Sequence, residues 1–246
     1  MKSILCCALL ATLLMLCSQT ANATPYETDT IKTKGGDLSI TFVGHASLIF
    51  SYKGKVIHID PDSRLADYRS LPKADLILIT HEHPDHLDPM AMELARTKKT
   101  KIVANPAGAA NIRNGIAIKN GKSITLAGVT IKAVPAYNIV NKLGNGEPFH
   151  PKGNGNGYIL TFADKKVYVA GDTEDIPEMK NLGPIDIAFL PMNLPYTMSP
   201  EMAAAAAETI KPAILYPYHF GDTDAKQLIT LLANNPKIEV RIRRMP

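Results

Sequence analysis

The sequence predicts an α/β fold, a sandwich of two packed β-sheets covered by helices. Short runs rich in β-branched and aromatic residues recur along the chain. One of them, residues 75–80 (DLILIT), is continuously apolar from Leu76 to Ile79, as expected of a strand buried on both faces. A few helix signals are interleaved with the later runs.

Taken in order, residues 39–43, 47–52 and 55–60 read as strands, with Lys53-Gly54 as the tight turn between the last two. Residues 75–80, 101–104, 123–126 and 129–134 continue the series, the last two joined at Ala127-Gly128. Residues 158–162 and 167–170 form a hairpin around Asp164-Lys165, and residues 185–190 are another apolar strand. Ser199-Pro200-Glu201 opens a helix through Ile210, with serine as N-cap, proline at the first helical position and an acid in the first turn. A strand at 213–216, a helix from 223 to 233 and a strand at 238–242 follow. The polar stretch 135–157 reads as one long loop, and Gly153-Asn154-Gly155-Asn156-Gly157 as a flexible segment within it.

Residues 1–23 stand apart. Lys2 precedes an apolar run over 4–16, and Ala21-Asn22-Ala23 places small residues where a signal peptidase reads them. The run is too short for a comfortable membrane span, which needs about 20 residues. The expectation is a cleaved leader followed by one domain, 24–246, exported to the periplasm or beyond. All three cysteines, Cys6, Cys7 and Cys17, lie in the leader, so residues 24–246 have neither disulfides to form nor thiolate ligands to offer. Losing Lys2 lowers the formal charge from +4 to +3, too mild for a polyanionic partner. The basic clusters Lys98-Lys99-Lys101 and Arg241-Arg243-Arg244 read as solvated surface, not a nucleic-acid footprint.

The chemistry concentrates after the apolar strand, at His81-Glu82-His83-Pro84-Asp85-His86. Three of the chain's seven histidines fall here beside an aspartate. Imidazole suits zinc, iron and copper, and a carboxylate adds charge and a hard oxygen. Alternation along an extended segment would point His81, His83 and Asp85 the same way. Further ligands should come from other strand ends and loops: His150 in the long loop, Asp172 in a Gly-Asp-Thr turn, and His219 after the strand at 213–216. His58 reads as strand packing, and Ser47 and Ser199 as strand and cap residues.

This series of motifs resembles the metallo-β-lactamase superfamily across essentially the whole of 24–246. The resemblance implies an αββα sandwich of two mixed sheets flanked by helices, with metals at the sheet edges. It implies His81, His83 and His150 on one metal, Asp85, His86 and His219 on a second, and Asp172 bridging both. Phe42-Val43-Gly44-His45-Ala46, Ile59-Asp60-Pro61 and Leu71-Pro72 look like the branch that includes L-ascorbate-6-phosphate lactonase and the phospholipase D acting on N-acylphosphatidylethanolamine. There His45 would approach the site and Asp60 would orient a metal-bound histidine. The antibiotic-degrading members generally lack the aspartate of the Gly-Asp-Thr turn, and some use cysteine, so a β-lactam is not the expected substrate.

The resemblance leads to a hydrolase in which two divalent ions activate a bridging water to cleave a lactone, ester, amide or phosphodiester of a small molecule or lipid. Zinc suits the histidines best; manganese or iron also fits the carboxylates. A protonated Asp85 or His45 would assist the leaving group. Two other classes remain open at this stage, a non-heme iron oxidoreductase and a non-catalytic periplasmic metal binder.

Overall fold

The structure, a computed structural model, describes residues 26–245. The expected leader, residues 1–23, lies outside them. The first sheet contains β1 (Thr28–Thr33), β2 (Gly36–Gly44), β3 (Ser47–Tyr52), β4 (Lys55–Ile59), β5 (Ala74–Ile79), β6 (Arg96–Ala104) and β7 (Ile116–Ala117), hydrogen-bonded in that order. The second contains β8 (Ser123–Leu126), β9 (Val129–Ala136), β10 (Gly155–Phe162), β11 (Lys165–Val169), β12 (Ile187–Pro191), β13 (Ile214–Tyr218) and β14 (Glu239–Val240). In each sheet the first three pairings are antiparallel and the last three parallel. The two halves share a topology although the sequence shows no internal repeat.

Burial explains the layers. Phe42, Phe50, Leu78, Phe162, Phe189 and Tyr216 fill the space between the sheets. The outer face of the first sheet, with Ile77 and Ile79, packs on α1 (Pro89–Ala95) and α2 (Pro106–Ala110). The outer face of the second, with Ala188 and Leu190, packs on α3 (Pro200–Ile210) and α4 (Gln227–Leu231). The αββα sandwich is therefore present, and β5 is apolar throughout its buried part because helices and the opposite sheet cover both its faces.

Several expectations need correction. The strand β1 was not anticipated: TDTIKT is an edge strand with one buried apolar residue, Ile31, too few for an alternating pattern. Its Asp29 holds Arg243 at 2.7 Å, so part of the C-terminal basic cluster is paired rather than simply solvated. Asp88-Pro89, the start of α1, is the same cap-plus-proline signal as Ser199-Pro200; the Asp88 side chain accepts from Met90 and Ala91. The short α2 and β7, and a 3₁₀ turn at Pro177–Asn181, also went unread. The last helix is shorter than expected. The glycine-rich run is not a flexible loop: Gly155 to Gly157 begin β10, and Asn156 is buried. Glycine is needed at 157 because a Cβ there would stand 2.6 Å from the Ala170 carbonyl oxygen.

Candidate metal centre

The carboxyl ends of β4, β5, β11 and β13 converge at one edge of the sandwich, each delivering side chains to one place. Asp60 follows β4; Thr80 and His81 follow β5. Asp172 follows β11 by way of Gly171, whose φ of +68 and close approach to the Asn156 carbonyl (a Cβ would lie 2.7 Å from it) demand glycine. His219 follows β13, and its backbone N–H bonds the His45 carbonyl at 2.9 Å, tying the β2–β3 turn to the second sheet.

Residues 81–85 are not the extended segment expected from alternation, and the turn expected before His86 begins earlier. Pro84 sits in a turn in which the N–H groups of His86 and Leu87 both reach the His83 carbonyl. The turn splits the motif between two groups of converging ligand atoms. His81, His83 and His150 form one; His45, Asp85, His86 and His219 form the other; Asp172 lies against both His81 and His86. Every histidine of the chain except His58 is thus at this edge.

Asp172 is buried at the centre. Its Oδ2 lies 3.3 Å from His219 Nε2, 3.4 Å from His150 Nε2 and 3.9 Å from His81 Nε2, while Oδ1 is 3.4 Å from His86 Nε2. None of these is a hydrogen bond, and the Nε2 atoms of His81, His86, His150 and His219, with Asp172 Oδ1, are all buried without a hydrogen-bond partner among the described residues. Orphaned buried polar atoms are costly singly. Five aimed at one another make a donor set suited to divalent cations of the zinc type.

Hydrogen bonds behind the rings determine which nitrogen faces inward. Asp60 Oδ2 accepts from His86 Nδ1 at 2.8 Å. Thr80 donates its hydroxyl to the same carboxylate at 2.6 Å, leaving its oxygen to accept from His81 Nδ1 at 3.0 Å. Asn138 Oδ1 accepts from His150 Nδ1 at 2.6 Å. Each ring therefore keeps a proton at Nδ1 and turns its Nε2 inward. Sequence reasoning singled out Asp60 but missed Thr80 and Asn138. It also missed Glu82, which holds the ligand turn from outside through the Asn105 and Asn154 amides at 2.8 and 2.5 Å. Glu82, sitting between two histidines, was the readable signal.

The electrostatics divide the histidines. Burial pushes His81 well below its ordinary value, aided by the positive field of His86. Burial likewise takes His150 down to about 4. Burial works in the same direction on His86 and His219. The Asp172 carboxylate outweighs it, with Asp60 helping at His86 and Asp85 at His219, so His86 is raised well above normal and His219 to about 9. Asp85 is partly buried, which alone would raise its carboxyl, but the imidazoles of His219, His45 and His86 close around it and hold it well below the carboxylate range. Asp85 thus has no proton to offer a leaving group near neutrality. His45 Nε2, 3.3 Å from Asp85 and facing the same cleft, is the remaining candidate. That cleft, of about 720 Å³, is walled by Leu65, Pro84, Phe149 and Tyr196, with Arg64 at its edge.

Comparison with known proteins agrees with this fold. Residues 39–219 match the family described as the beta-lactamase superfamily domain. A UPF0173 metal-dependent hydrolase of Thermococcus kodakarensis is 34% identical over 200 residues, covering 74% of this chain and 84% of the relative. A crystal structure of a metal-dependent hydrolase from Parabacteroides distasonis superposes with a TM-score of 0.86 at 49% identity, covering 90% of this chain and all of that one. A metallo hydrolase of Ignicoccus hospitalis gives 0.69 at 26% identity, covering 83% and 94%. With a seven-plus-seven-stranded αββα sandwich, a converging His/Asp edge and these relatives, the chain belongs to the metallo-β-lactamase superfamily as a metal-dependent hydrolase.

Proposed function

We propose that the chain is a dinuclear hydrolase acting on a lactone, ester, amide or phosphodiester of a small molecule or lipid. The observation that carries this reading is the set of inward-facing, unpartnered Nε2 atoms around the shared carboxylate of Asp172. His81, His83 and His150 would hold one ion, and Asp85, His86 and His219 the other, with Asp172 between them. Zinc suits this donor set best. When bound, two divalent ions supply Lewis acidity and generate a nucleophile from water near neutral pH.

The protein's own residues supply the rest. Asp60, Thr80 and Asn138 hold the imidazoles in one tautomer and orientation. His45, held at φ +48 with its Nε2 beside Asp85, is placed to deliver a proton to the departing group. Leu65, Phe149 and Tyr196 keep one wall of the cleft apolar and restrict water around the reacting bond. Export is part of the proposal, supported by the leader-like residues 1–23 and by the absence of cysteine after them. Among the described residues no helix is long and apolar enough to cross a membrane.

A screen of zinc- and manganese-loaded protein against lactone, phosphodiester and β-lactam substrates tests the reading. We expect turnover in the first or second class, none with Asp172→Ala, and a fall in kcat at unchanged metal content with His45→Ala. Full turnover by Asp172→Ala would reduce that residue to a turn former and remove the basis of the proposal.

A further inference from the structure

Glu174 lies two residues beyond Asp172 and is fully buried, yet its carboxylate does not face the metal centre. It points away from it, into the loop after β9. There Oε2 accepts from the backbone N–H groups of Ile139 and Val140, each at 2.7 Å, and Oε1 accepts from Asn141 N–H at 2.7 Å. A fourth donor, the Asn138 side-chain amide, reaches Oε1 at 3.1 Å. Three consecutive backbone N–H groups closing on one anion form a concave anion seat of the kind peptides make when their amides point inward.

The consequence runs through the Asn138 amide. Its nitrogen has two acceptors, Glu174 Oε1 and the Tyr196 carbonyl at 2.9 Å, and can satisfy them only by pointing that way. The Asn138 oxygen must then face His150, where it accepts from the backbone N–H at 3.0 Å and from Nδ1 at 2.6 Å. Were the amide reversed, its NH₂ would meet His150 Nδ1, and the ring proton would move to Nε2, the atom that faces Asp172. A proton there removes the lone pair a metal needs.

We propose that Glu174 is a positioning residue of the metal centre: its buried carboxylate orients the Asn138 amide, and that amide holds His150 in the tautomer able to bind a metal. The inference rests on the reading of His150 as a ligand, but it also makes a statement about the metal-free protein.

Long-range ¹H–¹⁵N spectra of metal-free protein test that statement directly. His150 should be a single tautomer protonated at Nδ1 in the parent and a mixture in Glu174→Gln, whose NH₂ would oppose at least one of the backbone donors. Glu178→Gln is the control, because Glu178 grips the neighbouring Tyr137 hydroxyl and Lys152 on the same loop without touching Asn138; it should leave the tautomer alone. Under mild chelation, Glu174→Gln and Asn138→Ala should each weaken one of the two bound ions roughly 10- to 100-fold. The double variant should be no worse than the more severe single, since both act on one path. A parent His150 protonated at Nε2 overturns the inference, even if no variant folds. So does a Glu174→Gln protein that keeps the Nδ1 proton and both ions at parental affinity. A parent with the expected tautomer that binds no ion and hydrolyses nothing would instead discard the hydrolase reading and leave the role of Glu174 in orienting His150 intact.

Discussion

His86 and His150 are both buried and face the same carboxylate, Asp172, with Nε2 3.4 Å from one or other of its oxygens. They are held from behind in different ways. His86 leans on Asp60, a carboxylate at the end of β4, where strand register and the Thr80 bonds leave no freedom. His150 leans on Asn138, a neutral amide in a loop. Asp60 and Asp172 together drive His86 up, whereas nothing behind His150 offsets burial and it drops to about 4. Both supports turn the same atom, Nε2, inward. Asp172, with Asp60 behind the ring, favours the charged form of His86, whereas burial favours the neutral form of His150.

The comparison is broken most severely by Asp60→Asn. The amide cannot accept at once from Thr80 N–H, the Thr80 hydroxyl and His86 Nδ1, so both His86 and, through Thr80, His81 lose their orientation. Metal affinity should fall by at least the roughly 10- to 100-fold typical of such supporting residues. Melting should come several degrees earlier because a buried network is left short of acceptors. Metal titration beside thermal melts checks both. Parental affinity would mean that strand geometry alone orients the rings.

That prediction depends on how visible each support is in the sequence. Asp60 ends an apolar strand and stands before a proline, in a motif that the superfamily resemblance picks out. His81, His86, Asp172 and His219 are visible for a related reason: each follows a strand whose apolar run marks its end. Asn138 and Glu174 carry no such mark. Asn138 sits in a polar loop whose shape comes from amides closing on a buried carboxylate far along the chain. No periodicity encodes that contact. The extended reading of residues 81–85 fails because Pro84 already sits in the turn, and the glycine run at 153–157 is not the flexible segment expected because glycine serves close strand packing there rather than freedom. Apart from the edge strands β1 and β7, the strands of both sheets are legible, since burial on one or two faces imposes its own pattern.

His58 sharpens the comparison with the smallest expected effect on the centre. It lies on β4, two residues before Asp60, and is fully buried without any carboxylate partner; Nε2 donates to the Pro72 carbonyl at 2.9 Å and Nδ1 has none. Burial lowers it from 6.5 to about 4. Folding therefore keeps it neutral, while the unfolded chain takes up a proton below about pH 6.5. Its contribution is present in full above that pH and is lost as pH falls toward 4. Between pH 6.5 and 5 the loss is on the order of 2 kcal/mol. Denaturant melts of chelator-treated protein should show that loss shrinking in His58→Gln, with bound metal in the untreated variant unchanged. An identical pH slope in parent and variant would place the acid sensitivity elsewhere.

The central claim, that the converging edge holds two ions sharing Asp172, is tested most directly by anomalous scattering from crystals grown with zinc. The account predicts two peaks per chain, one among His81, His83 and His150, the other among Asp85, His86 and His219, with the Asp172 carboxylate between them. A single peak, or two that leave Asp172 unligated, would contradict it.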